Sequence, residues 1–127
     1  MNNTNKDHIP SWMNEGNLPD WARKVAFNIF ISTSERKFSF LKNSNITTRL
    51  SGYQMEREIE NYPSKISSPP HEAIDYLKNI RLTDGRGWSI ECPFYDASGN
   101  RTDLVLDIEI YGSENNYKVY IIDILVP

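Results

Sequence analysis

Four carboxylates in the last quarter of the chain, Asp103, Asp107, Glu109 and Asp123, are the residues best placed to do chemistry. The first three occupy odd-numbered positions of one extended run, Thr102-Asp-Leu-Val-Leu-Asp-Ile-Glu-Ile-Tyr111, so a period of two projects them from one face. Asp123 lies in the next run, Tyr117-Lys-Val-Tyr-Ile-Ile-Asp-Ile-Leu-Val126. Carboxylates held side by side raise one another's pKa and can supply both an acid and a base. In a closed pocket Asp107 or Asp123 would be the base, with Tyr53 or Tyr120 as a hydrogen-bond donor. Two other readings fit the same residues. They are a solvated sheet face, or an anionic surface matched to the lysines and arginines of a partner. Glu56, Glu58 and Glu60 form an alternative acidic patch, on a helix.

Other chemistries lack their residues. His8 and His71 are the two histidines, and neither has a cysteine or a second histidine at metal-ligand spacing. No Gly-x-Ser-x-Gly elbow is present, and Gly85-Arg-Gly87 reads as a turn, not a phosphate cradle. Cys92, the single cysteine, alternates onto one face with Trp88, Ile90 and Phe94, where a buried thiol behaves as a small hydrophobe. No cofactor and no metal is implied.

The elements that position the carboxylates are three strands at the end of the chain. Trp88–Tyr95 is the first, and polar turns at 96–100 and 112–116 join it to the two runs above. Pairing Tyr111 with Tyr117 would put Tyr120, Ile122, Ile124 and Val126 on one apolar face with Leu104, Leu106, Ile108 and Ile110. It would also set Asp123 opposite Val105 and diagonal to Asp103 and Asp107. Upstream, Pro19-Asp20 opens a helix running to about Ile31, with Trp21, Val25 and Ile29 at four-residue spacing. A second helix is expected over 45–61, where Ile46, Leu50, Tyr53 and Ile59 approximate a stripe. Tyr62-Pro63 ends it. Ser67-Ser-Pro-Pro70 then starts a third, His71–Ile80, with Ile74, Leu77 and Ile80 inward. Residues 32–42 have no clear assignment.

Helices first and a meander afterwards define an α+β domain. The expected architecture packs N-terminal helices on a curved antiparallel sheet, a cone or roll, with space for a cavity between them. Residues 1–16, polar apart from Ile9, Trp12 and Met13, read as a flexible arm, and 17–127 as a single domain. At 127 residues and 39% hydrophobic, the chain can bury a core without staples. A net charge of −3 gives no electrostatic footprint for nucleic acid and suits a basic partner instead. One cysteine rules out an intrachain disulfide, and no apolar run is long enough to span a membrane. With no signal-peptide core at the N-terminus, the expected setting is the cytoplasm.

Two stretches carry a family resemblance: Tyr62-Pro-Ser-Lys-Ile-Ser-Ser-Pro-Pro-His-Glu-Ala-Ile-Asp-Tyr76, and Gly99-Asn-Arg-Thr-Asp-Leu-Val-Leu-Asp-Ile-Glu-Ile110 with the closing Asp123-Ile-Leu-Val126. Over about residues 45–127 the chain resembles small bacterial domains with the cystatin-like roll of the nuclear transport factor 2 superfamily. Some of these are immunity proteins, which neutralise a toxin delivered by a neighbouring cell, as in contact-dependent growth inhibition. The resemblance implies a cytoplasmic, non-enzymatic protein that covers the active site of a basic toxin domain, often a nuclease. Contacts would come from Asp103, Asp107, Glu109 and Asp123, or from Glu56, Glu58 and Glu60. The alternatives are an enzyme or ligand carrier using the cone cavity, and a homodimer paired through the sheet face.

Overall fold

The computed structural model describes residues 15–127, so His8, Trp12 and nearly all of the expected arm lie outside the described residues. The first helix, α1, spans Asp20–Ser34 and buries Ala22, Ala26, Phe27, Ile29 and Phe30, one broad stripe at helical spacing. It runs three residues past the expected end. Thr33 and Ser34 are buried there because their hydroxyls donate to the carbonyls of Ile29 and Phe30, 2.7 and 2.8 Å away. Arg36, at φ 57°, closes the helix: its own N–H reaches Thr33 O and that of Lys37 reaches Ser32 O. The Arg36 guanidinium then bonds Glu60, Ser34 O and Ile66 O, which pins the end of α1 to two later elements.

The helix expected over 45–61 is half that length. Ile46–Thr48 is a strand, β1, and α2 spans only Gly52–Glu60. Ile46-Thr-Thr48 is β-branched throughout, which disfavours helix and suits a pleated edge. The true start is a capping box. Ser51 accepts from Gln54 N–H while the Gln54 side chain accepts from Ser51 N–H. Met55 and Ile59 are the buried residues of α2, and Tyr53 points to solvent.

The third expected helix is also mostly something else. His71–Tyr76 is a six-residue 3-10 turn, and Lys78–Arg81 is a strand, β3, paired with the meander. Leu77 is buried as expected, whereas Ile74, in the 3-10 turn, is half-buried; Ile80 is exposed because the extended backbone of β3 alternates faces where a helix would have kept one. A two-residue strand, β2 (Ile66–Ser67), precedes it. Within 32–42 the chain makes a 3-10 turn, Ser39–Lys42.

The meander is as expected, with its first two strands longer and its third shifted one residue back: β4 Gly87–Asp96, β5 Arg101–Ser113 and β6 Asn116–Leu125. With the short strands it makes a curled six-stranded sheet of order β1-β6-β5-β4-β2, β3 sharing β4 with β2. The sheet is antiparallel except where β1 runs parallel to β6. The helices pack on its inner face, giving an α+β roll. That interior is solid: Phe30 meets Phe94 at 5.3 Å and 62°, and Met55, Ile59, Leu106, Ile108, Ile110 and Ile121 fill around them with almost no exposure.

The register of β5 with β6 differs from the expected one by a single residue. Tyr111 faces Lys118, not Tyr117, because the strands continue to Ser113–Asn116 and the turn shrinks to two residues. A one-residue slip flips every side chain. Val119 and Ile121 therefore enter the core, and Tyr120 and Ile122 go to the other face. A bulge between the Asp107 and Ile108 pairs inserts Ile122 and flips the remainder back, so Asp123 faces Asp107 and Ile124 is buried opposite Leu106. Val126, expected on the apolar face, is exposed.

Candidate functional site

The outer face of the meander, turned away from α1, gathers the carboxylates. Directly paired residues share a face, and the pairs Lys78–Glu91, Glu91–Asp107 and Asp107–Asp123 make one row across four strands. Three consecutive members are acidic. Neighbouring side chains in such a row sit about 5 Å apart, where like charges destabilise the pairing. Asp107 is in the middle and half-buried. Burial, reinforced by the charges of Glu91, Glu109 and Asp123, pushes its carboxyl up to about 6.

Beside this row, Glu109 faces Tyr120, and Tyr111 lies diagonal to it. The Tyr111 hydroxyl donates to Glu109 Oε1 at 2.8 Å, and this bond to a carboxylate pushes the phenol up to about 12. The rings of Tyr111 and Tyr120 meet edge to face at 5.6 Å and 88°. They line an open groove of ≈ 750 Å³ with Glu109, Ile122, Arg81 and Arg86. Both arginines have internal partners: Arg86 pairs with Asp84 at 3.1 Å, and Arg81 lies over the Trp88 ring, 4.4 Å from its centroid, and donates to Gly85 O. The groove is thus an aromatic floor with an acidic side and a basic rim, in which Arg86 is paired with a carboxylate and Arg81 is held by a ring and a carbonyl.

The four sheet carboxylates do not stay together. Asp107, Glu109 and Asp123 share the outer face, but Asp103 lies at the far end of β5, where its carboxylate accepts the Tyr62 hydroxyl. That bond holds the Tyr62 phenol above its ordinary value. Asp103 instead shares a cleft with Glu58 of α2. Glu56 is exposed, whereas Glu60 is committed to Arg36 by an ion pair of 2.6 Å. Tyr53 is in the first turn of α2, exposed and with Arg57 over its ring, so the donor beside the sheet carboxylates is Tyr111, with Tyr120 next to it. The residue sequence reasoning missed is Glu91. Its odd-numbered place in Trp88–Tyr95 carried the signal, since the meander must lay that strand against Asp107.

Cys92 is fully buried among apolar side chains, which push its thiol well above the usual range, and His71 is exposed. Among the described residues no group of three or more His, Cys, Asp or Glu is arranged to hold a metal ion. No described helix is long and apolar enough to cross a membrane.

These features define a small α+β roll whose sheet is covered by helices on one side and carries a carboxylate row on the other. The chain belongs to the family described as Domain of unknown function (DUF7668), whose model matches residues 30–127. No curated protein and no solved structure matches it.

Proposed function

We propose that this is a binding protein of the immunity type, which neutralises a bacterial toxin domain by laying its outer sheet face over a basic active site. The observation that carries the reading is the Glu91–Asp107–Asp123 row. Carboxylates placed side by side weaken the sheet, and a cationic partner surface is what would turn that repulsion into attraction. Half-buried apolar neighbours such as Ile122 and Tyr120 supply area that a partner can bury alongside the charges. A toxin met inside the cell implies a cytoplasmic setting.

A pull-down from the native host, followed by association kinetics, tests this. The expected result is a stoichiometric complex with one basic domain, whose association slows when Asp107→Lys and Asp123→Lys are introduced and whose salt dependence flattens. Unchanged affinity and salt slope in both variants would sink the electrostatic account. A second reading, acid–base chemistry on the same face, draws on Asp107 titrating at about 6 beside the Tyr111–Tyr120 groove. Retention of a small molecule through purification, lost with Asp107→Asn, would favour it. Native mass measurement separates both from a homodimer paired through this face.

A further inference from the structure

A second concave surface, separate from the carboxylate row, opens between the last turn of α2 and the open end of the β5–β6 pair. Its volume is ≈ 390 Å³, and Glu58, Tyr62, Pro63, Asp103, Leu125 and Val126 line it. An adjoining groove on α2 shares Glu58 and adds Tyr53. Among the described residues four large hydrophobic side chains are exposed. Three of them, Tyr53 at 67%, Val126 at 52% and Leu125 at 37%, border these two hollows. Exposed apolar groups grouped around a concavity mark a contact surface more than scattered ones do.

The charges specify what would cover it. The charged residues lining the cleft are Glu58 and Asp103, both carboxylates. Arg57, the nearest basic residue of α2, is turned to the Tyr53 ring at 5.8 Å in the adjoining groove. A purely apolar occupant would strip water from two carboxylates without replacing it, and a purely basic one would leave Leu125 and Val126 wet. A second copy of this chain pairing cleft to cleft would set Glu58 and Asp103 against their own kind, since a two-fold interface matches each patch with itself.

We infer that this cleft is a docking site for an extended segment of a partner protein in which an arginine or lysine is flanked by aliphatic side chains. The cation lies between Glu58 and Asp103, with Tyr62 fixing the Asp103 carboxylate by its hydroxyl, and the aliphatic groups cover Leu125, Val126 and Pro63. This goes beyond the sheet-face reading, because it uses a different surface and stands whether or not the outer face binds a toxin.

The test is titration of the isotope-labelled protein with three capped peptides, Leu-Arg-Leu, Leu-Glu-Leu and Ser-Arg-Ser, followed by amide chemical shifts. Leu-Arg-Leu is expected to move the signals of Glu58, Leu125 and Val126 and to bind about tenfold more tightly than the other two. Glu58→Gln is expected to remove most of the preference for arginine over glutamate. Leu125→Ser, which keeps both carboxylates, is expected to bring Leu-Arg-Leu down to the level of Ser-Arg-Ser. Asp107→Lys on the outer face is expected to leave all three titrations unchanged, so the two surfaces fail or succeed separately. Equal binding of Leu-Glu-Leu, shifts confined to the outer face, or shifts that follow protein concentration without peptide would each overturn the assignment, the last in favour of a second copy.

Discussion

The two faces of the β4–β5–β6 meander come from the same strands and differ in almost everything else. The inner face is a continuous sheet of Ile90, Cys92, Phe94, Leu106, Ile108, Ile110, Val119 and Ile121, each close to zero exposure. The outer face mixes carboxylates and tyrosines with half-buried aliphatic residues, and puts three acids in one row. Burial of apolar area stabilises the first, while in the second Asp107 carries a local penalty, from its burial and the neighbouring acids, that protonation or salt relieves. One side holds the fold and the other is held by it.

The sharpest test of that contrast is truncation inside. Phe94→Ala removes a ring that is fully buried against Phe30 and should destabilise the protein by about 3–5 kcal/mol, read from denaturant unfolding. A loss below about 1 kcal/mol would mean the inner face is loosely packed.

Asp107→Asn should act in the opposite direction. The carboxyl titrates at about 6 in the fold and near 4 when unfolded, so the native state binds the extra proton between those values. Its contribution to stability is therefore unfavourable above pH 6, and fades as pH falls towards 4. The substitution should stabilise the protein by about 1 kcal/mol at pH 7, the figure allowing for solvent screening of a half-exposed group. The gain should vanish near pH 4. A gain that persists at pH 4, or a loss at pH 7, would remove the outer penalty from the comparison.

Two smaller effects refine it. Raising salt from low to moderate concentration should stabilise the wild type by a few tenths of a kcal/mol, and the Asp107→Asn variant less, because screening weakens the same repulsion. Glu109→Gln should lower the titration of Tyr111 from about 12 towards that of a free phenol, followed by tyrosinate absorbance, with little change in stability.

How much of this was legible follows the same division. Strict alternation in β5 announced the inner face, and α1 declared itself by spacing, so the α+β roll could be read directly. The outer face depended on register, which alternation does not fix. Tyr117–Val126 is apolar at both parities, so either set could have been inward, and a two-residue turn in place of a five-residue one reversed the choice. The bulge at Ile122, which sets Asp123 against Asp107, has no local signature. Where periodicity was shared between states, tertiary pairing decided. Ile46-Thr47-Thr48 became a strand because β6 had an edge to offer, and Lys78–Arg81 because β4 did. The cleft at Glu58 and Asp103 joins residues 45 positions apart, and only the folded chain makes them neighbours.

The flanks of the sheet have a consequence for solubility. The three long strands are bordered by pieces of three, two and four residues, β1, β2 and β3. On β3, Gly16 N–H occupies the carbonyl of Asn79, while Gly16 O accepts from the Trp88 indole at 2.9 Å. A β-carbon at Gly16 would fall 2.7 Å from the Ile80 carbonyl carbon, so only glycine lets the segment lie this close. Short borders and a plugged carbonyl deny another chain the run of main-chain groups it needs to extend the sheet. Edge-to-edge growth of such apolar strands is thereby disfavoured at these short borders, and what the acidic face offers a solute is side chains, not main-chain groups.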